Sequence, residues 1–217
     1  MKRLLAIVLL ASMLVSQGFG SSAREKSGVF LGLETDTSFG TARQFFNLVE
    51  FLGFRAPAST SEIRALLGFQ VYFTPSFGFD VRARVGTGRM AFRNYDYDYR
   101  LTSLYSAINT GGEVKLLWDF YNDEEDSMGM SFGVSYDYFK ATHIMASTHM
   151  PNPMPENLPM MHKFNIGVLA PIIGLHYYFG HHQIAFTYHM GRVMDKLPIP
   201  LPPRYYFGSS FSYVYRF

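Results

Sequence analysis

The side chains best suited to binding a metal ion are concentrated between Thr142 and His162. Prolines alternate there with imidazole and thioether groups, and these two ligand types suit copper. The candidate ligands are His143, His149, Met150, Met154 and His162. They lack the fixed spacing of a known metal site, so an exposed loop without a bound metal is the preferred interpretation, and no cofactor is expected.

A serine beside a histidine could support acyl transfer or deacylation at a membrane surface. Ser147 and His149 are close in sequence, but the proline-rich stretch around them offers nothing that would hold them in a catalytic geometry. His176, His182 and His189 fall in or beside apolar runs and have no serine two positions away. The sequence therefore predicts a protein that is not an enzyme.

Charged side chains recur at alternate positions within several apolar runs. Successive side chains of a β-strand point to opposite faces, so these charges would share one face and the apolar residues the other. Enclosed charges must pair, because an unpaired buried charge is far more costly. The predicted pairing set has six carboxylates and five cations: Glu34, Asp36, Arg64, Asp80, Arg82, Arg84, Glu113, Lys115, Asp119, Asp137 and Arg216.

The alternation is clearest near the end of the chain, in Tyr205–Phe217. Aromatic residues occupy positions 207, 211, 213, 215 and 217, with small or polar residues at most positions between them, which predicts a strand with one apolar face. Seven further stretches with this period precede it, joined by short turns near Thr74–Ser76, Tyr121–Ser127 and Phe179–His182. Longer connections are expected at Thr41–Thr60, Met90–Tyr105, Ala141–His162 and Asp195–Arg204.

Short connections that alternate with long ones, together with an even number of strands, are typical of transmembrane barrels. The predicted strands have roughly 10 to 14 residues, and a tilted strand needs about 9 to 11 to cross a bilayer. An open sheet edge in lipid would leave unpaired backbone groups, so a membrane sheet must close. The predicted fold class is all-β, an eight-stranded antiparallel transmembrane β-barrel. A soluble eight-stranded barrel of the lipocalin type is the alternative.

The composition agrees with such a fold. Aromatic residues make up 17% of the chain and charged residues only 17%, and cysteine is absent, which excludes a disulfide scaffold and a cysteine nucleophile. Residues 1–23 have a basic start and a short apolar run, which predicts a signal peptide cleaved after Gly20 or Ala23. Residues 24–217 would form the barrel with 17 basic and 17 acidic residues, because Lys2 and Arg3 are subtracted from 19. A neutral chain does not support nucleic-acid binding.

Some single positions carry finer expectations. Pro171 predicts a bulge or a register shift, because proline cannot donate a ladder hydrogen bond, and Asn165 is expected to face inward with the polar set. The tyrosine tract Tyr95–Arg100 either continues a strand beyond the membrane, which is favoured, or offers stacking surfaces for sugars. Aromatic residues expected at the membrane interfaces are Trp118, Phe120, Tyr136, Tyr138, Tyr177, Tyr178, Tyr205 and Tyr215.

Four short motifs lie in the last part of the chain: residues 181–186, 196–202, Tyr205-Tyr206 and 212–217. They resemble the C-terminal barrel region of the Helicobacter outer-membrane protein family, and residues 28–32 resemble the mature start of that family. The resemblance implies a surface-exposed barrel in a group that includes adhesins and porins, although this chain lacks the large external domain and the cysteines of the adhesins. In strand number and hairpin layout the chain is similar to small barrels of the OmpA and OmpX type.

The carboxy-terminal aromatic row is Phe211, Tyr213, Tyr215 and Phe217. It resembles the last strand of bacterial outer-membrane barrels, and that resemblance implies recognition by the barrel-assembly machinery. Export through a Sec-type signal peptide to the outer membrane is expected, with outer-membrane lipid and lipopolysaccharide as partners and an external ligand left open.

An eight-stranded barrel has an interior just wide enough for its own side chains. The sequence therefore predicts a structural, surface-presenting outer-membrane barrel with a filled lumen and external loops. A narrow porin-like channel for ions or small solutes is the first alternative. A surface adhesin or a metal-capturing loop scaffold is the second.

Overall fold

The computed structural model describes residues 26–41, 58–95, 100–123, 126–149, 162–194 and 205–217. These residues form eight strands: β1 Gly28–Thr41, β2 Ala58–Tyr72, β3 Phe77–Tyr95, β4 Arg100–Asn122, β5 Asp126–His149, β6 Lys163–Phe179, β7 His182–Val193 and β8 Tyr205–Arg216. Each strand pairs antiparallel with the next, and β8 pairs with β1 to close a barrel. The predicted fold class is confirmed. The described residues include no helix of the length and apolar character that crossing a membrane requires.

The two ends of the barrel differ in their connections. One end, here called the turn end, holds residues 73–76, the β4–β5 connection, Gly180-His181 and the last residue, Phe217. Gly180 has a φ of 56°, a left-handed conformation that glycine adopts without steric cost, and this permits the tight β6–β7 turn. The opposite end, here called the loop end, is where β1, β3, β5 and β7 end and β2, β4, β6 and β8 begin. The predicted signal peptide and loop segments 42–57 and 195–204 lie outside the described residues.

Along most of the barrel, polar residues face inward and apolar residues face outward. On β1, for example, Leu33 is 62% exposed whereas the next residue, Glu34, is 2% exposed. The outward band includes Leu67 on β2, Leu116 on β4 and Phe132 on β5, which are all exposed. A water-soluble barrel has the opposite arrangement, so the soluble alternative has no support in this fold.

The central strands are longer than the sequence pattern predicted. β3 continues to Tyr95, β4 begins at Arg100 and β5 continues to His149, so most of Met90–Tyr105 and the first part of Ala141–His162 are strand. The prediction of a long loop at Met90–Tyr105 was wrong, whereas the connection predicted at Ala141–His162 is shorter than expected but still long. The favoured strand extension is confirmed at Tyr95 and Arg100 by their pairing, and residues 96–99 of that tract lie outside the described residues. The alternation was missed because the polar and apolar faces exchange at this level of the barrel.

That exchange occurs near the loop end. Inward-facing Met90, Phe139 and Ile166 are buried in an apolar cluster, while the outward-facing residues beside them, such as Arg89 and Lys140, are charged and exposed. The polarity of a sheet face follows its surroundings, since lipid favours apolar side chains and water favours polar ones. The exchange therefore marks the level at which the outer surface passes from lipid to water.

Three position-specific predictions were wrong. Asn165 faces outward and is exposed, because its neighbours Phe164 and Ile166 take the inward positions. Tyr178 lies inside the barrel at 3% exposure and is not an interface aromatic. Pro171 stays in register opposite Val134. The β6–β7 ladder omits Ala170 and Pro171, yet it has the same register on both sides of them, so the missing donor causes a gap rather than a bulge.

Candidate functional site

The interior of the barrel is the candidate functional site, and its middle layer is a network of ion pairs. Glu113 on β4 is one junction of this network. Its Oε1 lies 2.6 Å from Lys115 Nζ and 3.0 Å from Arg82 Nε, and its Oε2 accepts a hydrogen bond from Arg84 Nη1 at 2.8 Å. Arg82 also contacts Asp80 on the same strand. One carboxylate thus joins three cations from two adjacent strands.

Arg64 on β2 is the second junction, with the opposite charge pattern. Its guanidinium lies 3.0 Å from Glu34, 3.3 Å from Asp36 and 2.9 Å from Glu62. The Arg64 side chain is 2% exposed, so these interactions are shielded from bulk water. An enclosed guanidinium that meets three carboxylates uses several of its five donors.

Arg84 connects the two junctions. Its Nη1 lies 3.7 Å from Glu34 Oε1, and its Nη2 donates to Asp137 Oδ2 at 2.8 Å. The network therefore runs without a break across five neighbouring strands, from β1 to β5. Because Arg64, Arg82 and Arg84 each contact at least two buried carboxylates, removing one of these arginines would weaken the pairing of more than one carboxylate.

All eleven residues of the predicted pairing set face the interior and are buried. The structure brings nine of them together in the network just described, whereas Asp119 and Arg216 belong to a separate cluster at the turn end. The nine are Glu34, Asp36, Arg64, Asp80, Arg82, Arg84, Glu113, Lys115 and Asp137.

The sequence pattern missed two polar members of the network. Glu62 was placed outside the strand because the apolar alternation begins at Ile63, yet β2 starts at Ala58. Asn109 donates from Nδ2 to Glu62 Oε2 at 2.9 Å, and it lies after the predicted loop Met90–Tyr105, in a part of β4 that the sequence pattern assigned to neither face. The even spacing of Glu62 and Arg64 was the signal that could have identified Glu62.

The turn-end cluster, formed around Lys26 and Asp119, fills the interior at the turn end of the barrel. Lys26, which precedes β1, donates from Nζ to Asp119 Oδ2 at 2.7 Å, to the Pro75 carbonyl at 3.1 Å and to Asn122 Oδ1. Asp119 Oδ1 also accepts a hydrogen bond from the Tyr72 hydroxyl at 2.8 Å and lies 2.7 Å from His176 Nε2. A carboxylate at the centre of three donors is well satisfied although it is 2% exposed.

Arg216 ties the last strand to the same cluster. It donates from Nη1 to the Lys26 carbonyl at 2.9 Å and from Nη2 to the Gly180 carbonyl at 2.8 Å, and its guanidinium lies 5.2 Å from the ring centre of Tyr178. Tyr178 donates to Gln70 Oε1 at 2.7 Å. Lys26 precedes the first strand and carries no periodic signal, whereas Tyr178 shares its face of β6 with His176, a spacing that could have assigned it to the lumen.

The loop-end layer is apolar. Tyr105 on β4 packs edge to face against Phe164 on β6, with ring centres 4.8 Å apart, and Phe92 on β3 lies 5.4 Å from Phe164. Phe139, Ile166 and other buried residues complete this loop-end cluster. Rings from β3, β4, β5, β6 and β8 thus fill the interior at the loop end, while charges fill the middle.

The candidate metal ligands are only partly brought together. His143 and His162 are adjacent, since the His143 amide donates to the His162 carbonyl at 2.9 Å. The His143 ring packs against Tyr105 at 5.3 Å between ring centres, and His149 pairs with Arg100 further along β5. Met150 and Met154 lie outside the described residues. Within the described ranges, no three His, Asp or Glu side chains are placed to share a metal ion.

The carboxy-terminal aromatic row points outward. Phe211, Tyr213, Tyr215 and Phe217 are 53%, 41%, 40% and 68% exposed. The Tyr213 hydroxyl lies 2.7 Å from His182 Nδ1 on the neighbouring strand. Of the predicted interface aromatics, Trp118, Phe120, Tyr136 and Tyr138 are exposed, and Tyr177, Tyr205 and Tyr215 also belong to outward-facing positions.

Comparison with known proteins gives structural neighbours only. No protein-family model matches the chain, and no curated protein matches its sequence. The barrel is similar to Ail, the attachment invasion locus protein of Yersinia pestis, in complex with the heparin analogue sucrose octasulfate (12% identity over 88% of this chain and 97% of that chain, TM-score 0.39). It is also similar to Neisserial surface protein A (10% identity over 88% of this chain and 98% of that chain, TM-score 0.44). A third similar structure is OprG from Pseudomonas aeruginosa (14% identity over 88% of this chain and 97% of that chain, TM-score 0.43). At these identities the likeness concerns the fold alone.

The chain's own surface indicates where the barrel resides. A closed sheet has no unpaired edge, its middle zone is apolar outside and charged inside, and every strand is long enough for a tilted crossing of about 9 to 11 residues. These are the properties of outer-membrane β-barrels. The protein is an eight-stranded outer-membrane β-barrel.

Proposed function

We propose that this barrel is a structural, surface-presenting protein of the outer membrane whose lumen does not conduct. Its turn end would face the periplasm and its loop end the outside, since periplasmic turns are short and external loops long in such barrels. The proposal includes the absence of catalysis, so lipid A isolated from cells that overproduce the protein should keep an unchanged mass.

The observation that carries the proposal is the filling of the interior at three successive levels. Lys26 and its partners occupy the turn end, the pairs around Glu113 and Arg64 occupy the middle, and the rings around Phe164 occupy the loop end. A conducting path would need polar groups that water can reach. At the loop end, however, most inward-facing residues are apolar and buried, and the polar ones among them, Ser38, Thr60 and Ser103, are buried as well.

The length of the central strands supports the surface-presenting part of the proposal. β4 has 23 residues and β5 has 24, whereas β7 and β8 have 12 each. The extra residues of β3, β4 and β5 lie at the loop end, beyond the apolar outer band. A rigid ribbon above the lipid would hold the connecting segments away from the membrane, where they could meet an external ligand.

The motifs at 181–186, 196–202 and 212–217 support grouping the chain with the Helicobacter outer-membrane proteins. The exposed aromatic row from Phe211 to Phe217 supports recognition by the barrel-assembly machinery. Replacing the terminal Phe217 by Ser in cells should reduce the amount of folded, heat-modifiable barrel, whereas Phe211→Leu should preserve it.

Conductance in a planar bilayer tests the closed lumen. The refolded protein, shown to be folded by its heat-modifiable migration, should produce no discrete openings, while an established porin in the same bilayer should conduct. Reproducible openings of uniform size from the folded protein would overturn the closed lumen and favour the narrow channel.

Thiol labelling gives an independent readout, because the natural chain has no cysteine. Ser131 is inward-facing and 3% exposed in the middle of the barrel, whereas Thr74 lies in an exposed turn. In the folded barrel, a membrane-impermeant maleimide should label Thr74→Cys and leave Ser131→Cys unmodified. Rapid modification of Ser131→Cys would show that water reaches the lumen.

A further inference from the structure

The outer surface near the loop end carries charges of a single sign on one side of the barrel. Arg89 on β3 pairs with Ser106 on β4, Ser106 pairs with Thr142 on β5, and Thr142 pairs with Lys163 on β6. One step closer to the turn end, Lys140 pairs with Asn165. All six side chains face outward and are exposed. The donor patch comprises Arg89, Ser106, Lys140, Thr142, Lys163 and Asn165.

No described carboxylate lies on the outer surface near this patch. Among the described residues of the chain, the acidic side chains lie in the barrel interior, apart from Asp123 and Asp126 at the turn end. Among the described residues, therefore, none of the three cations of the donor patch has an acidic neighbour on the outer surface. Their charge faces outward, where a ligand from outside the chain could meet it.

The patch is confined to one side. Followed in the other direction, the row that contains Arg89 continues through Ser61, Thr37 and Ser209 on β2, β1 and β8. These residues carry hydroxyl groups only. A further exposed cation, Arg192 on β7, lies opposite Leu169. A general requirement for solubility above the lipid would not concentrate these exposed cations on β3, β5, β6 and β7.

The depth of the patch indicates what kind of ligand it meets. Below it on the same outward faces lie Val85, Ile108, Tyr138 and Leu169, which are between 38% and 55% exposed and belong to the apolar band. Thr87 on β3 and Gly167 on β6 lie between this band and the patch. Residues immediately above such a band are at the level of lipid headgroups. The patch also lies on the convex outer wall and not in a cavity, which favours a headgroup held in place by its lipid over a free anion.

We infer that the donor patch binds the phosphate groups of lipid headgroups in the leaflet at the loop end. This inference rests on the proposed outer-membrane function and assigns it a lipid class. Ammonium and guanidinium groups form charge-assisted hydrogen bonds to phosphate oxygens, and the hydroxyl and amide groups of Thr142 and Asn165 supply neutral donors. Lys140 and Lys163 are diagonal neighbours, about 7 to 8 Å apart, so both long side chains reach one phosphate.

The span of the patch favours a headgroup with more than one phosphate. Arg89 and Lys163 are separated by three strand spacings, on the order of 14 Å. A single phosphate near the two lysines would leave Arg89 unused, whereas a second phosphate on the same headgroup could reach it. The expected ligand is therefore a bisphosphorylated glycolipid such as lipid A.

The test uses the refolded full barrel in detergent, with native mass spectrometry of its lipid adducts. The probes are bisphosphorylated lipid A and the same lipid after dephosphorylation. The natural chain should retain the phosphorylated lipid and not the dephosphorylated one. Lys140→Gln/Lys163→Gln should lower its affinity by about tenfold or more, and the matched variant Lys140→Arg/Lys163→Arg should keep it.

The outcomes separate this inference from the proposed function. Equal retention by the natural chain and the double Gln variant, or equal retention of both lipids, would overturn the lipid site. Both variants should migrate as folded barrels, since their side chains face outward. If the natural chain inserts into phosphatidylethanolamine vesicles but does not prefer bisphosphorylated lipid A to dephosphorylated lipid A, only this inference fails. Failure to insert into vesicles of any composition would overturn the proposed function itself.

Discussion

Lys26 Nζ lies 2.7 Å from Asp119 Oδ2, so a residue that precedes the first strand is bound to the fourth strand across the turn end of the barrel. β1 and β4 are not neighbours in the barrel, so strand pairing does not bring them together. The N-terminal segment thus acts as a cross-brace that holds β1 and β4 at a fixed separation and covers the turn end of the lumen.

Removing the Lys26 ammonium should destabilise the barrel. Lys26→Met keeps much of the aliphatic stem and leaves Asp119 buried with less compensation, and breaking a buried pair costs about 3 kcal/mol or more. The unfolding midpoint of the refolded protein in urea should fall accordingly. Lys26→Met/Asp119→Asn, in which neither charge is left alone, should recover part of the loss. A midpoint for Lys26→Met equal to that of the natural chain would contradict the cross-brace.

Arg82 and Arg89 lie on the same strand and offer a matched comparison of inward and outward cations. Arg82 is 2% exposed and contacts Asp80 and Glu113, so Arg82→Ala should lower the free energy of unfolding by about 3 to 5 kcal/mol. Arg89 is exposed, and Arg89→Ala should change it by less than about 0.5 kcal/mol. Equilibrium unfolding in urea measures both free energies. Similar losses in the two variants would exclude a stabilising network.

Gly133 permits a close approach between β4 and β5. A Cβ atom at this position would overlap the Val114 carbonyl oxygen and lie 2.9 Å from Lys115 Cα, so Gly133→Ala should cost about 1 to 3 kcal/mol through overpacking. At Gly112 the nearest atom to an added Cβ is the Arg82 carbonyl oxygen at 3.3 Å. Gly112→Ala should therefore be tolerated better, as equilibrium unfolding in urea can determine. The reverse order would count against the strand register.

Phe164 anchors the loop-end cluster and is 9% exposed. Phe164→Ala would open a cavity beside Tyr105 and should cost about 3 to 5 kcal/mol. Phe132 on β5 is 42% exposed on the outer surface, where lipid or detergent can fill the space of a removed ring, so Phe132→Ala should cost much less. If the two variants had the same melting temperature, the interior at the loop end would not be a packed core.

Much of the candidate site was predictable from the period of the sequence. An alternation of two residues places Glu113 and Lys115 on the same face of a strand wherever that strand lies in space, because the pleat itself sets the direction of each side chain. The eleven inward-facing charges and the eight strands follow from this local rule. The same rule failed at Asn165 and Tyr178, since an alternation says which residues share a face and not which face is the inner one.

The sequence by itself determined that the chain consists of β-strands in which a polar or charged face alternates with an apolar one, because side-chain direction in a strand is a local property of the backbone. Only the tertiary structure decided which charges meet. Arg84 joins Glu34 to Asp137, and Lys26 reaches Asp119, through the closure and register of strands far apart in sequence. The level at which the two faces exchange polarity was also decided there, since it depends on where the outer wall leaves the lipid.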